Sequence, residues 1–294
     1  MYIQEILTLN LSYKKREIIM TNKDKKVIED FGDEWTKFDY VALDEEKLEE
    51  NFHQYFDIFP WDILPKDAIG FDMGCGSGRW AKFVAPKVNT LNCIEPSNAI
   101  NVAKNNLRSH KNVKFYRETT EDCTISPCSQ DFGYCLGVLH HIPNTQNALN
   151  DCIKLLKPRA PILLYLYYDF ENKPFWFKTI WKVSDYIRKS VSILPKPLKH
   201  LICTMIALAI YFPLSRIAYM VEKLGFNVEN IPLSDYRAKP FYQCKNDALD
   251  RFGTRLEQRF SKAKITAMLT KAGCTKIEFS PNTPYWCCLA FKDE

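Results

Sequence analysis

Residues 69–80 read Ile-Gly-Phe-Asp-Met-Gly-Cys-Gly-Ser-Gly-Arg-Trp, a short apolar strand that ends in an acid and runs into three alternating glycines. Residues without a Cβ let the chain turn sharply after the strand and bring its backbone close to a ligand. The helix that follows offers unpaired N–H groups. Such a turn can hold a nucleoside cofactor. A dinucleotide fingerprint G-x-G-x-x-G would put its third glycine at position 79, where this chain has Arg79, with glycine at 78 instead.

The surrounding sequence alternates strand and helix. Strands are predicted at 68–73, 90–95, 113–116, 132–136 and 162–167. Helices are predicted from Arg79, over 99–107, and after a cap near Asn144, where Leu149, Cys152, Ile153 and Leu156 form one apolar stripe. This order implies a parallel sheet. Ser261 caps a last helix through Lys271 with Gly273 as its stop, and 276–279 and 286–291 form a closing strand pair. Upstream, residues 1 to about 30 read as a frayed polar arm. From Asp44 to Tyr55 the spacing of Leu48, Phe52 and Phe56 predicts a helix. The chain divides into an N-terminal arm and helical cap (1–66), a cofactor-binding α/β core (67–168), a helical insertion (169–259) and the last helix and strand pair (260–294). The insertion leaves the carboxyl end of a parallel strand, where open α/β sheets bind ligands, so it should cap the site and select the substrate.

Asp72 to Gly78 resembles motif I of class I S-adenosylmethionine-dependent methyltransferases, and three further segments agree in order. The strand ending at Glu95 lies about 20 residues on, where a ribose would sit; 131–143, with Leu139-His140-His141, resembles the fourth-strand segment; and 155–161 resembles the Leu-Lys-Pro-Gly-Gly turn before strand five. The resemblance covers about 68–168 and extends to the ubiquinone and menaquinone methyltransferases around 139–143. It implies a Rossmann-like sheet of parallel strands with an antiparallel last strand, and S-adenosylmethionine as cofactor. By the same token Asp72, Gly74, Cys75, Gly76, Gly78, Glu95, Pro96 and Gly137 would hold that cofactor. Many relatives carry Gly-Asp-Ala after strand three; here 118–122 read Glu-Thr-Thr-Glu-Asp, leaving Thr119, Glu121 or backbone groups for the adenine.

Methyl transfer is an in-line displacement in which the protein aligns acceptor, methyl and sulfur and excludes water. A hydroxyl acceptor gains from a base that works near neutral pH, and His140 and His141 follow strand four at the sheet's carboxyl edge. Each serves either as that base or as pocket wall. Tyr165, Tyr167 and Asp169 face the same crevice, and the insertion adds Trp176, Trp181 and Tyr236. These aromatics either wall a ring-bearing acceptor or fill the cap's own core, the latter reading being preferred for Trp181. Arg237 and Arg251 either clamp an anionic acceptor or belong to a salt-bridged helix face. The expected reaction is methylation of a small molecule, with a metabolite or sugar-derived hydroxyl ahead of quinone-type C-methylation; a non-catalytic partner-binding or membrane-surface protein of the same fold is the competing class.

Composition sets outer bounds. Forty Lys and Arg against 35 Asp and Glu give a formal charge of +5 over 294 residues, too weak an excess to imply nucleic acid. Eleven cysteines without a C-x-x-C pair or zinc spacing read as buried thiols of a cytoplasmic protein, and no metal set emerges. The first twenty residues predict no secretory signal, and Met20 is an alternative start. The most apolar run, 201–215, is uncharged for 15 residues. At 1.5 Å per residue that is short of the roughly 30 Å of bilayer hydrocarbon, and Pro213 should interrupt it, so the run reads as a buried or interfacial helix, with membrane contact through 201–221 left open and a span not expected.

Overall fold

Strand β1 (Ile69–Met73) lies in the middle of a seven-stranded sheet, between β2 (Thr90–Ile94) and β4 (Phe132–Leu136). β3 (Val113–Tyr116) flanks β2, and β5 (Pro161–Tyr165) flanks β4. These five are parallel. β7 (Cys287–Lys292) runs antiparallel between β5 and β6 (Cys274–Phe279). The order β3-β2-β1-β4-β5-β7-β6 reverses between β1 and β4, which opens a crevice at their carboxyl ends. Neighbouring glycines and phenylalanines lock that central pair: a Cβ on Gly70 would meet the Phe132 ring at 2.1 Å, and one on Gly133 would meet Phe71 at 2.2 Å. The computed structural model describes residues 21–37, 45–228 and 230–294. The expectations for residues 1–20, Met20 among them, and for Asp44 as the start of a helix lie outside the described residues.

Helix α1 (Lys25–Lys37) replaces the frayed arm expected up to residue 30. Asp24 accepts the backbone N–H groups of Lys26 and Val27 at 2.9 and 3.2 Å and starts the helix. Gly32 lets α1 lie close to Ser97, just before α4 (Ala99–Asn106). The arm is helical because Val27 and Glu34 are buried, a tertiary contact that local polarity does not report. Helix α2 (Glu45–Tyr55) places Leu48 and Phe52 in the core. The helix expected from Arg79 is a single turn, α3 (Ala81–Val84), because Pro86 follows and converts its end to a 3-10 turn. α5 (Thr145–Leu155) is capped as expected, with Asn144 accepting from the N–H of Asn147 at 3.0 Å. β5 stops at Tyr165, two residues early, where its partner strand begins at Cys287.

The insertion is helical: α6 (Phe175–Ser192), α7 (Lys196–Ile206), α8 (Phe212–Lys223) and α9 (Phe241–Gly253) precede the last helix, α10 (Lys262–Lys271). Ser261 caps α10 and accepts from Lys264, and Gly273 turns the chain out of it with φ +80°. Pro213 does not interrupt the apolar run. A π-helical turn, Ala207–Tyr211, joins α7 to α8 into one rod, Lys196–Lys223, of 28 residues or about 42 Å, and the wider turn accommodates the proline just after it. Of the eleven cysteines, all free, Cys128 is exposed and Cys123 half-buried, so the reading of every cysteine as a buried thiol fails at these two, which sit on the loop between β3 and β4.

Candidate active site

A cavity of about 1180 Å³ opens at the carboxyl edge of β1, β2, β4 and β5, with α1, α2 and the insertion among its other walls. That exceeds the roughly 300–1,000 Å³ of a pocket for one drug-sized ligand, so two molecules fit side by side. On the sheet side lie the turn after β1, Glu95 after β2, Thr119 after β3 and Gly137 after β4. Gly74, Gly76 and Gly78 all have positive φ, between 55° and 79°. A Cβ on Gly74 would strike Val138 at 2.4 Å, and one on Gly76 would meet the Trp35 ring at 3.2 Å. Glu95 accepts the N–H of Gly76 at 3.2 Å and that of Ser97 at 2.9 Å. It thereby ties the glycine turn to β2 and keeps lone pairs for a ligand, since a carboxylate has about four acceptor sites.

The expected cofactor residues divide by position. Gly74, Cys75, Gly76, Glu95, Pro96, Thr119 and Gly137 line the cavity. Asp72, Gly78 and Glu121 do not. Asp72 is buried beneath the turn, where desolvation pushes its carboxyl up to about 8 and only Tyr134 and Arg79 pull it back. Gly78 faces α4, and a Cβ there would meet Leu107 at 2.8 Å, so its glycine serves helix-to-sheet packing. Glu121 turns outward and accepts the N–H of Asn22 at 2.7 Å.

The two histidines also part company. His140 is fully buried off the cavity wall, stacked on Tyr167 with ring centroids 3.9 Å apart, and burial holds its pKa well below the ordinary value. His141 lines the cavity, and its Nδ1 lies 2.6 Å from the carbonyl oxygen of Leu256. A carbonyl only accepts, so Nδ1 carries the proton and the lone pair of the neutral ring is on Nε2. Nε2 has no hydrogen-bond partner among the described residues and lies 3.8 Å from Oδ1 of Asp250. The hydroxyl of Tyr167 donates to the other oxygen of Asp250. Phe31 of α1 covers the His141 ring at 4.7 Å.

Tyr165, Tyr167, Tyr236, Arg237 and Arg251 line the cavity, whereas Trp176 and Asp169 do not. Trp176 is exposed on α6, and the backbone N–H of Asp169 donates to the carbonyl of Phe260 where the strand has ended. Trp181, read as cap core, is instead on the cavity wall with the guanidinium of Arg251 5.4 Å above it. Arg251 is engaged with Glu257 at 2.7 Å, which Arg259 holds from the other side at 2.8 Å, and Arg237 pairs with Glu222 at 2.8 Å. The salt-bridged reading of these arginines therefore describes their contacts.

Sequence reasoning passed over the acids. On α9, Gln243, Asn246, Asp247, Asp250 and Arg251 all face the cavity. Their spacing of i, i+3, i+4, i+7 and i+8 is that of a helix's buried face, here written in polar residues, and this stripe is the signal that could have found them. Glu34 of α1 joins them. Burial, then the neighbouring Asp250 and Asp247, drive the Glu34 carboxyl well up; burial likewise raises Glu95 and Asp250. A cavity lined by desolvated acids fits a cation. S-adenosylmethionine carries a sulfonium and an ammonium, and when bound it supplies an electrophilic methyl group.

Residues 71–164 match the family described as a methyltransferase domain. A ubiquinone biosynthesis O-methyltransferase of Saccharophagus degradans is 32% identical over 94 residues, 31% of this chain and 40% of that protein. The corresponding Salmonella newport protein is 31% identical over 94 residues, 31% of this chain and 39% of its own length. The chain thus matches about two fifths of the length of these relatives. Over the fold, a chain of the complex between the Haloferax volcanii Trm112 methyltransferase activator and a methyltransferase superposes with a TM-score of 0.51 at 10% identity, covering 90% of this chain and 99% of that one. Residues 71–164 thus form a methyltransferase domain on a seven-stranded mixed sheet, which implies S-adenosylmethionine as cofactor. The residues outside 71–164 supply α1, the cap and, in Glu34, Asp247 and Asp250, most of the acids named on the cavity wall.

Proposed function

We propose that this chain methylates a hydroxyl oxygen of a small, ring-bearing acceptor, with His141 as the base. The observation that carries the reading is the protonation pattern forced on His141. The Leu256 carbonyl accepts the Nδ1–H, which leaves the lone pair of the neutral ring on Nε2, in a residue that lines the same cavity as the glycine turn. Asp250 stands beside Nε2 and would stabilise the imidazolium that forms when the hydroxyl proton is taken. Glu95 and the turn at Gly74 to Gly76 would hold the cofactor on the sheet side. Tyr55, Tyr165 and Tyr236 give the cavity aromatic walls suited to a ring. The O-methyltransferase names of the matched relatives support an oxygen acceptor. Eleven free cysteines favour a reducing compartment, the cytoplasm.

The test uses methyl-labelled cofactor with a panel of phenolic, catecholic and sugar hydroxyl acceptors. Label in an ether product, abolished by masking the acceptor hydroxyl, supports the reading. Label on carbon, or none with every acceptor while the cofactor binds, rejects it.

A further inference from the structure

The cap carries an outer surface that methyl transfer does not use. Eighteen large apolar side chains are exposed among the described residues, and all but Ile63 fall within 175–226. The rod Lys196–Lys223 explains much of this. It buries one stripe, in which Cys203, Ala207, Tyr211, Ser215 and Ala218 pack inward, and turns Leu201, Met205, Leu208, Ile217 and Met220 outward, each at least half exposed. Ile180, Val183 and Ile187 of α6 extend the same surface to the mouth of the cavity, whose wall they share. A contiguous patch of this kind on a soluble domain marks an interaction site.

Charge identifies the occupant. Between residues 173 and 223 there are nine Lys and Arg against two Asp and Glu, a local excess of +7 in a chain whose total is +5. The basic excess of the whole protein therefore sits on its apolar segment. Lys182, Lys189, Lys196 and Lys223 are exposed there. Like charge on both faces disfavours a second copy of this chain. A transmembrane span would have to tear the rod from the protein, breaking the Lys199–Asp30 pair at 2.9 Å, in which both side chains are largely buried. An apolar face rimmed with lysines fits the headgroup boundary of an anionic bilayer, where such a helix lies in the plane of the surface. We propose that the outer face of the cap docks on an anionic lipid surface with α7 and α8 lying flat on it.

Docking is separate from the methyltransferase reading and is measured on the full chain without any acceptor. Vesicles of equimolar phosphatidylglycerol and phosphatidylcholine should carry the protein upward in a flotation gradient, and vesicles of phosphatidylcholine alone should carry far less. High salt should release it. Met205→Glu with Met220→Glu should cut vesicle partitioning at least tenfold, and Lys182→Gln by about fivefold, the effect of one surface charge. Calorimetry with S-adenosylhomocysteine and circular dichroism on the same variants separate lost docking from lost folding. Protein left at the bottom with anionic vesicles overturns the proposal. So does binding that is indifferent to lipid charge and to both variants, association that resists salt and carbonate as a span would, or concentration-dependent dimerisation that buries the patch without lipid.

Discussion

Glu95 does two jobs with one carboxylate, pinning Gly76 and Ser97 by their N–H groups and presenting its remaining lone pairs to the cavity. Glu95→Ala should weaken cofactor binding by about 1–3 kcal/mol, read as a 5- to 150-fold rise in Kd by calorimetry. An unchanged Kd in a folded variant would remove Glu95 from the site. The histidines give a paired test. His141→Gln should lower kcat by about 10²–10⁴-fold with cofactor affinity nearly intact, as expected for loss of a general base, while His140→Gln should act through stability. A drop below tenfold at His141 returns it to the role of pocket wall. These residues were legible in the sequence because the glycine turn, the acid and the histidine pair directly follow the strands β1, β2 and β4. Which histidine faces the cavity was not legible, because one residue of rotation in the 3-10 turn Leu139–His141 decides it and sequence does not encode that rotation.

Among the elements, α1 departs furthest from expectation. Its residues Phe31, Glu34 and Trp35 form a lid over His141 and the glycine turn, with Trp35 also beneath the guanidinium of Arg79 at 4.8 Å. Trp35→Ala should speed cofactor release several-fold in stopped-flow displacement, an aromatic contact being worth about 0.5–1.5 kcal/mol. Release at the wild-type rate would show that α1 does not close on the cofactor. On α9, Arg251 supports the cap instead of clamping an acceptor, because its partner Glu257 has a side chain only 1% exposed. Arg251→Ala should destabilise the protein by about 1–3 kcal/mol, seen as a lower urea midpoint, by leaving a buried carboxylate short of a donor. A changed KM for an anionic acceptor at unchanged stability would favour the clamp. The strands and the capped helices α5 and α10 were readable from periodicity and from Asn144 and Ser261, since those signals are local. α1 and the polar stripe of α9 were not, since both are stabilised by surfaces that exist only after the sheet has formed.

Across the whole molecule, acids from distant parts of the chain converge on one cavity: Glu34 from α1, Glu95 from the sheet, Asp250 from α9. Burial raises all three, and a cationic ligand favours their ionised forms. Cofactor binding should therefore release protons, and affinity should rise with pH from the ordinary carboxylate range upward; titrations in buffers of different ionisation enthalpy measure the proton count. Proton uptake would contradict the cation-binding wall. The stability of the free protein runs the other way. Asp72, raised from 3.8 to about 8, favours the folded state fully at pH values below its unfolded pKa, and that contribution is lost as pH rises toward 8. Asp72→Asn should flatten this part of the pH–stability curve. By itself the sequence determined the parallel sheet with its antiparallel last strand and, through the resemblance carried by its motifs, the cofactor, because alternating strands and helices and a glycine turn are written in contiguous residues. Only the tertiary structure decided that a 28-residue apolar rod survives its proline and lies along the surface, that an arm becomes a lid, and that acids more than 200 residues apart share one wall. Those outcomes depend on burial and on long-range electrostatics, which arise from the packed whole and from no single stretch of chain.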